Sequence, residues 1–136
     1  MIIAKIERAL ALPVLTEIIA VSDAVMVARG DLGNEVPIEE IPFIQEDIVK
    51  KSKAAGKPVI VATEVMISMI KNSVPTRAEV TDVANAVCQG ADAIMLSEET
   101  AIGEHPVEVV AIVGRIINAS MRHIPEGTSF NNLKSI

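Results

Sequence analysis

The sequence has no tryptophan and no tyrosine, two phenylalanines (Phe43 and Phe130) and a single cysteine, Cys88. One cysteine cannot close an internal disulfide, so a reducing, cytoplasmic compartment is the expectation. Positive charge is in deficit: 12 Lys and Arg stand against 18 Asp and Glu, a net charge of −6. With so few aromatics to stack on bases, that balance argues against a nucleic-acid groove. No apolar run approaches the roughly 18 residues needed to cross a bilayer, so no membrane partner is expected. Met1-Ile2-Ile3-Ala4-Lys5 is too short and wrongly flanked to read as a signal peptide.

What the chain does have is aliphatic bulk. Half of its 136 residues are apolar, mainly Ile, Val, Ala and Leu, enough to build one modest domain with a sizeable core. Ala24 to Ala28, Pro58 to Ala62 and Ala93 to Leu96 are short, nearly continuous apolar runs, the pattern of parallel strands covered on both faces. Ile2 to Ile6 is a fourth, more alternating strand candidate. Between them lie helical patterns. Pro13 suits a first turn, with Val14, Ile18 and Val21 along one face. Ile41, Ile44, Ile48 and Ala55 form a second stripe, ended by Gly56. Thr76 and Glu79 fit a capping box, followed by Val80, Val83, Ala84 and Val87 and closed by Gly90. Pro106 opens a last helix that should turn Val110, Val113 and Ile117 inward. Val65 to Ile70 reads as an extra helical turn, Cys88 as part of the inner stripe of its helix, and His105 and His123 as solvent-facing. Residues 1–124 are expected to form one α/β unit and 125–136 a mobile tail.

Asp23-Ala24-Val25-Met26-Val27 echoes Asp92-Ala93-Ile94-Met95-Leu96. Repeated βα units suit an α/β barrel and a doubly wound sheet equally. Both aspartates fall at strand starts, the stability face of a barrel, and receive no catalytic role.

Ligand sites in such folds lie beyond the carboxyl ends of the strands. Those ends read Lys5 and Glu7, then Arg29-Gly30-Asp31, then Thr63, then Ser97, Glu98 and Glu99. Lys5 and Glu7, two apart on a strand, point to one side. Glu7 and Asp31 at neighbouring strand ends could converge on a hard cation such as magnesium. Gly30 and Gly33 bracket Asp31 and would let backbone approach a ligand; a helix start after Pro37 offers free N–H groups to an anion. Each residue also has a plainer reading: carboxylates at strand ends are commonly solvated or paired with Lys or Arg, and Thr63 could be a cap. Periodicity and spacing stop at an α/β protein with a candidate anion and metal site.

The motifs carry further. Ile3-Ala4-Lys5-Ile6-Glu7 resembles the strand of pyruvate kinases that bears the catalytic lysine and a magnesium glutamate. Ser22 through Gly33, with Glu35-Val36-Pro37, is similar to the most recognisable segment of that family. Gly56-Lys57-Pro58-Val59-Ile60-Val61-Ala62-Thr63 resembles its next strand, and Pro75-Thr76-Arg77-Ala78-Glu79 with Asp82 to Val87 its following helix. Gly90 to Ser97, Glu99-Thr100-Ala101, Gly103 and Pro106-Val107-Glu108 resemble its last strand and helix. The ordered resemblance runs from Ile3 to about Ile117.

The resemblance implies parallel βα repeats forming about half of a TIM-type (β/α)8 barrel. It implies phosphoryl transfer from phosphoenolpyruvate to ADP, giving pyruvate and ATP in glycolysis. It implies Lys5 as the catalytic lysine, Glu7 and Asp31 as Mg2+ (or Mn2+) ligands, and Ala28, Arg29 and Gly30 as backbone near the substrate carboxylate. Thr63 would lie beside the substrate, and Ser97 with Glu99 would form a polar pair tied to proton delivery. Departures are Glu98 where the family usually has glycine, Glu64-Val65 in place of Gln-Met, Asn34 before Glu35, and Ser73-Val74 in place of Pro-Arg. They put nucleotide and proton handling in question.

A whole (β/α)8 barrel takes ~250 residues, so the chain is expected to be a fragment, a truncated product or an excised half-barrel. By the resemblance, K+ is a cofactor whose ligands are not in this chain. Open sheet edges are then expected to drive self-association. Two other readings stand beside the kinase: a metal-dependent lyase barrel acting on phosphoenolpyruvate or pyruvate, and a non-catalytic half-barrel acting through assembly.

Overall fold

The structure, a computed structural model, describes residues 1–124; the tail expected at 125–136 lies outside the described residues. Four parallel strands, β1 (Ile3–Ile6), β2 (Ala24–Ala28), β3 (Val59–Ala62) and β4 (Ala93–Met95), pair in sequence order in one sheet. Each strand is followed by helix: α1 (Leu15–Val21), α2 (Arg29–Leu32) with α3 (Ile41–Ala54), α4 (Arg77–Gln89), and α5 (Glu98–Ala101) with α6 (Pro106–Met121). Short 3-10 turns at Ala9–Val14, Ile38–Glu40 and Ile67–Ile70 complete the connections. This is a mixed α/β fold whose sequential parallel sheet matches part of a (β/α) barrel.

Alternation along the strands separates two faces. Val25, Val27, Val59 and Val61 turn toward the helices and pack with Ile6, Leu15, Ile19, Ile48 and Val49. Each such side chain contributes about 1.5–3 kcal/mol when fully buried. On the other face the register sets Lys5, Met26, Ile60 and Ala93 side by side. A second core joins Val65, Met66 and Met69 to Val83, Val109 and Val113.

Several expected stripes are displaced. In α1 the buried residues are Leu15 and Ile19, while Val14 and Val21 are exposed. The 3-10 turn before this helix carries Pro13, so the α-helical phase starts later than the proline implied. In α3 Gln45, Ile48, Val49 and Ser52 are buried, and Ala55 is exposed beyond the helix end. In α4 Val83, Ala86 and Val87 are buried; Val80 is exposed, and so is Cys88, contrary to its expected place on the inner stripe. In α6 Val109 and Val113 face inward with Ser120, and Val110 points out.

The capping box forms as expected: Thr76 Oγ1 accepts from Glu79 N, Glu79 Oε2 accepts from Thr76 N, and Gly90 closes the helix at φ 102°. Glu79 also accepts from the Ser68 amide at 2.7 Å and its hydroxyl at 2.5 Å, tying the Ile67–Ile70 turn to α4. At the strand starts Asp23 accepts from Ile2 N, and Asp92 accepts from Val59 N and Lys53. These contacts suit the structural role expected of both aspartates.

Candidate functional site

The carboxyl ends of all four strands open on one side of the sheet. A cleft of ≈ 330 Å³ lies there, lined by Gly30, Asp31, Asn34, Thr63, Glu64 and Ile67 with Ser97, Glu98 and Glu99. Its lining carries carboxylates and no basic side chain. The helix start after Pro37 does not border it.

At the end of β1, Lys5 Nζ meets Glu7 Oε2 at 2.6 Å. Contact with that carboxylate, and then its charge, raises the lysine above its ordinary pKa; the Asp31 charge adds to the same direction. Lys5 is therefore a half-exposed cation paired with Glu7, with the Asp31 charge near enough to be felt. Glu7 Oε2 is closed to solvent and the Lys5 ammonium is the cation it meets, so a metal ion bound by this carboxylate would have to share it with Lys5. Asp31 is exposed in the first turn of α2. Among the described residues no group of three or more His, Cys, Asp or Glu side chains could hold a metal by themselves.

Ala28 is fully buried. The Arg29 side chain, which spacing left without a role, turns inward. Its Nη1 donates to both carboxylate oxygens of Asp82 at 2.7 and 2.6 Å and to Gln45 Oε1 at 3.4 Å. Its Nη2 donates to the carbonyls of Thr63 and Glu64, each at 3.1 Å. The Gly30 amide, expected to approach a ligand, donates instead to Thr63 Oγ1 at 2.8 Å. Thr63 and Glu64 both have left-handed backbone, with φ of 65° and 51°.

Ser97 ends β4 and borders the cleft, and its amide donates to Glu99 Oε2 at 2.7 Å. Glu99 has no exposed surface, and its Oε1 accepts from the amides of Val65 and Met66 at 3.2 and 3.0 Å. Burial pushes this carboxyl up, but the donated N–H groups of Met66, its own backbone, Ser97 and Val65 outweigh burial and hold it below the usual range. Glu99 is thus an ionised anchor for backbone, a setting that the expected proton-delivery role did not foresee. Glu98 is exposed at the cleft rim. Sequence reasoning missed Gln45 and Asp82 as partners of Arg29. It also missed Asn34, whose Nδ2 donates to the Gly30 carbonyl at 3.1 Å. Nothing in the local pattern around Asp82, where Glu79 and Thr81 are polar and Val80 is exposed, singled it out.

The family model "Pyruvate kinase, barrel domain" matches residues 1–110. The chain is 57% identical over 115 residues to pyruvate kinase of Thermotoga maritima, covering 85% of this chain and 25% of that protein. It is 48% identical over 134 residues to pyruvate kinase of Thermococcus litoralis, covering 98% and 28%. It is 53% identical over 118 residues to a Mycobacterium tuberculosis pyruvate kinase, covering 87% and 25%. The chain therefore spans about a quarter of the length of the curated relatives it matches. With its parallel βα units and polar strand ends inside the matched stretch, the chain belongs to the pyruvate kinase family, as a segment of the barrel domain.

Proposed function

We propose that this chain supplies part of the active centre of an enzyme that moves the phosphoryl group of phosphoenolpyruvate to ADP, giving pyruvate and ATP in glycolysis. The observation that carries the reading is the Lys5–Glu7 pair beside Asp31 at adjacent strand ends. Phosphoryl transfer asks the protein mainly for positioning and fixed charge. The Lys5 ammonium would stabilise charge on the transferring group. Glu7 and Asp31 would hold Mg2+ or Mn2+; two carboxylates suit an ion that keeps its waters and leans on substrate oxygens. When bound, the metal would neutralise phosphoryl and carboxylate charge. Thr63 and the backbone from Ala28 to Gly30 would border the substrate, with Ser97 at the opposite strand end. The cleft lining lacks a basic side chain, so anionic substrates depend on Lys5, the metal and groups outside this chain, K+ among them.

Manganese relaxation titration tests the metal assignment. Weak binding that disappears in Glu7→Gln/Asp31→Asn is expected; unchanged binding in that variant would remove both residues from the metal site.

A second reading concerns the chain on its own. β1 and β4 are the edge strands of the described sheet, and unpaired parallel edges are templates for pairing. Self-association, including two half-barrels closing on each other, follows from those edges. No helix among the described residues is long and apolar enough to cross a membrane. The lone Cys88 suits a reducing, cytoplasmic compartment, although one relative, at 50% identity, carries a chloroplastic name.

A further inference from the structure

Thr63 and Glu64 are the two positions among the described residues where non-glycine backbone enters the left-handed region. Such a turn persists only where its surroundings over-determine it. Two charged groups do so. Arg29, after β2, holds the carbonyls of Thr63 and Glu64. Glu99, on α5 after β4, holds the amides of Val65 and Met66 with one oxygen and that of Ser97 with the other. A Cβ at Gly103 would collide with the Glu99 carbonyl, so only glycine lets the chain pack this closely beside Glu99. The result is read at Thr63, whose Oγ1 accepts from Gly30 N at 2.8 Å and donates to the Ala62 carbonyl at 2.6 Å.

We propose that Glu99 is a positioning residue: its carboxylate, through the Val65 and Met66 amides, holds the left-handed turn and so fixes the Thr63 hydroxyl against the Gly30 amide at the cleft. The catalytic meaning of this role rests on the phosphoryl-transfer reading; the geometry does not. An ionised carboxylate can accept from all three amides, whereas a protonated one would place an O–H against N–H donors. The three donated N–H groups favour the ionised form, so near neutrality Glu99 holds the turn as a carboxylate. Through it the ends of β2, β3 and β4 form one connected unit, with Thr63 at its centre.

The test is amide NMR with hydrogen exchange on the full chain carrying Glu99→Gln. It needs no turnover, so its failure is distinct from failure of the phosphoryl-transfer reading. The Gly30 amide proton should move upfield, and its exchange should rise more than about tenfold, the scale of a lost charge-assisted bond. The Ser68 amide, held by Glu79 instead, should not move. Glu64→Gly relieves the strain at Glu64 and leaves that at Thr63, so in that background E99Q should have a smaller effect on Gly30 exchange than it has alone. Loosening of Val65 and Met66 with Gly30 unmoved would reduce Glu99 to a local loop anchor and overturn the proposal. So would an undiminished effect in the E64G background. If E99Q alone does not fold, the comparison is E64G against E64G/E99Q; loss of the fold there too would overturn it, since relieving Glu64 should return part of what Glu99 supplies.

Discussion

Replacing Arg29 with methionine keeps much of the side-chain bulk and removes the guanidinium's hydrogen bonds to Gln45, Asp82 and the Thr63 and Glu64 carbonyls. The guanidinium is 9% exposed and its partner Asp82 carboxylate 37%. Breaking a buried ion pair from one side costs ~3–5 kcal/mol, because the remaining charge is left unpaired. Water reaches Asp82, which argues for the low end, but the Thr63 and Glu64 carbonyls lose their charged donor as well. The expected loss is about 3 kcal/mol. With a urea slope near 1.5–2 kcal/mol/M, that lowers the unfolding midpoint by about 1.5–2 M. The chain lacks tryptophan and tyrosine, so far-UV circular dichroism is the signal. Asp82→Asn leaves the Arg29 charge without its counter-ion but keeps its carbonyl acceptors, so it should cost less, about 2 kcal/mol. A loss under about 1 kcal/mol for Arg29→Met, or equal losses for the two variants, would refute the view that Arg29 acts mainly on the turn.

Acid should unfold the chain through Glu79 and Glu99. Both carboxyls are depressed: burial opposes the shift, while hydrogen bonds from Ser68 and Thr76 at Glu79, and from backbone amides at Glu99, outweigh it. Their stabilisation is complete above the unfolded carboxyl range and is lost as pH falls through the folded values. Denaturant midpoints should therefore stay flat near neutrality and drop in acid, and Glu99→Gln should flatten that drop; a drop of the same size in the variant would count against the assignment. Sedimentation at micromolar concentration should find dimers or larger species of the chain alone; a compact monomer would mean that its sheet edges are satisfied internally.

Strand positions were legible because buried parallel strands are short apolar runs, and the Lys5–Glu7 contact is what a period of two puts on one side. Helix faces were less so. In α6, Val107, Val109, Val110, Ile112 and Val113 offer more than one apolar stripe, and packing against α4 and the Val65–Met69 segment selects Val109 over Val110. The inward turn of Arg29 depends on Asp82, 53 residues away, and on two carbonyls in a left-handed turn. No local spacing encodes such a contact. Glu99 was picked out by its motif, but its burial beneath Val65 and Met66 is a property of how α5 docks.

Turnover in a completed enzyme tests the central claim most directly. This chain, co-refolded with the remaining segments of the Thermotoga maritima relative, should convert phosphoenolpyruvate and ADP to pyruvate and ATP, while the chain alone should not. Introducing Lys5→Met should abolish the restored turnover and leave assembly by sedimentation unchanged. Restored turnover that survives the loss of Lys5, or robust turnover by the isolated chain, would contradict the account.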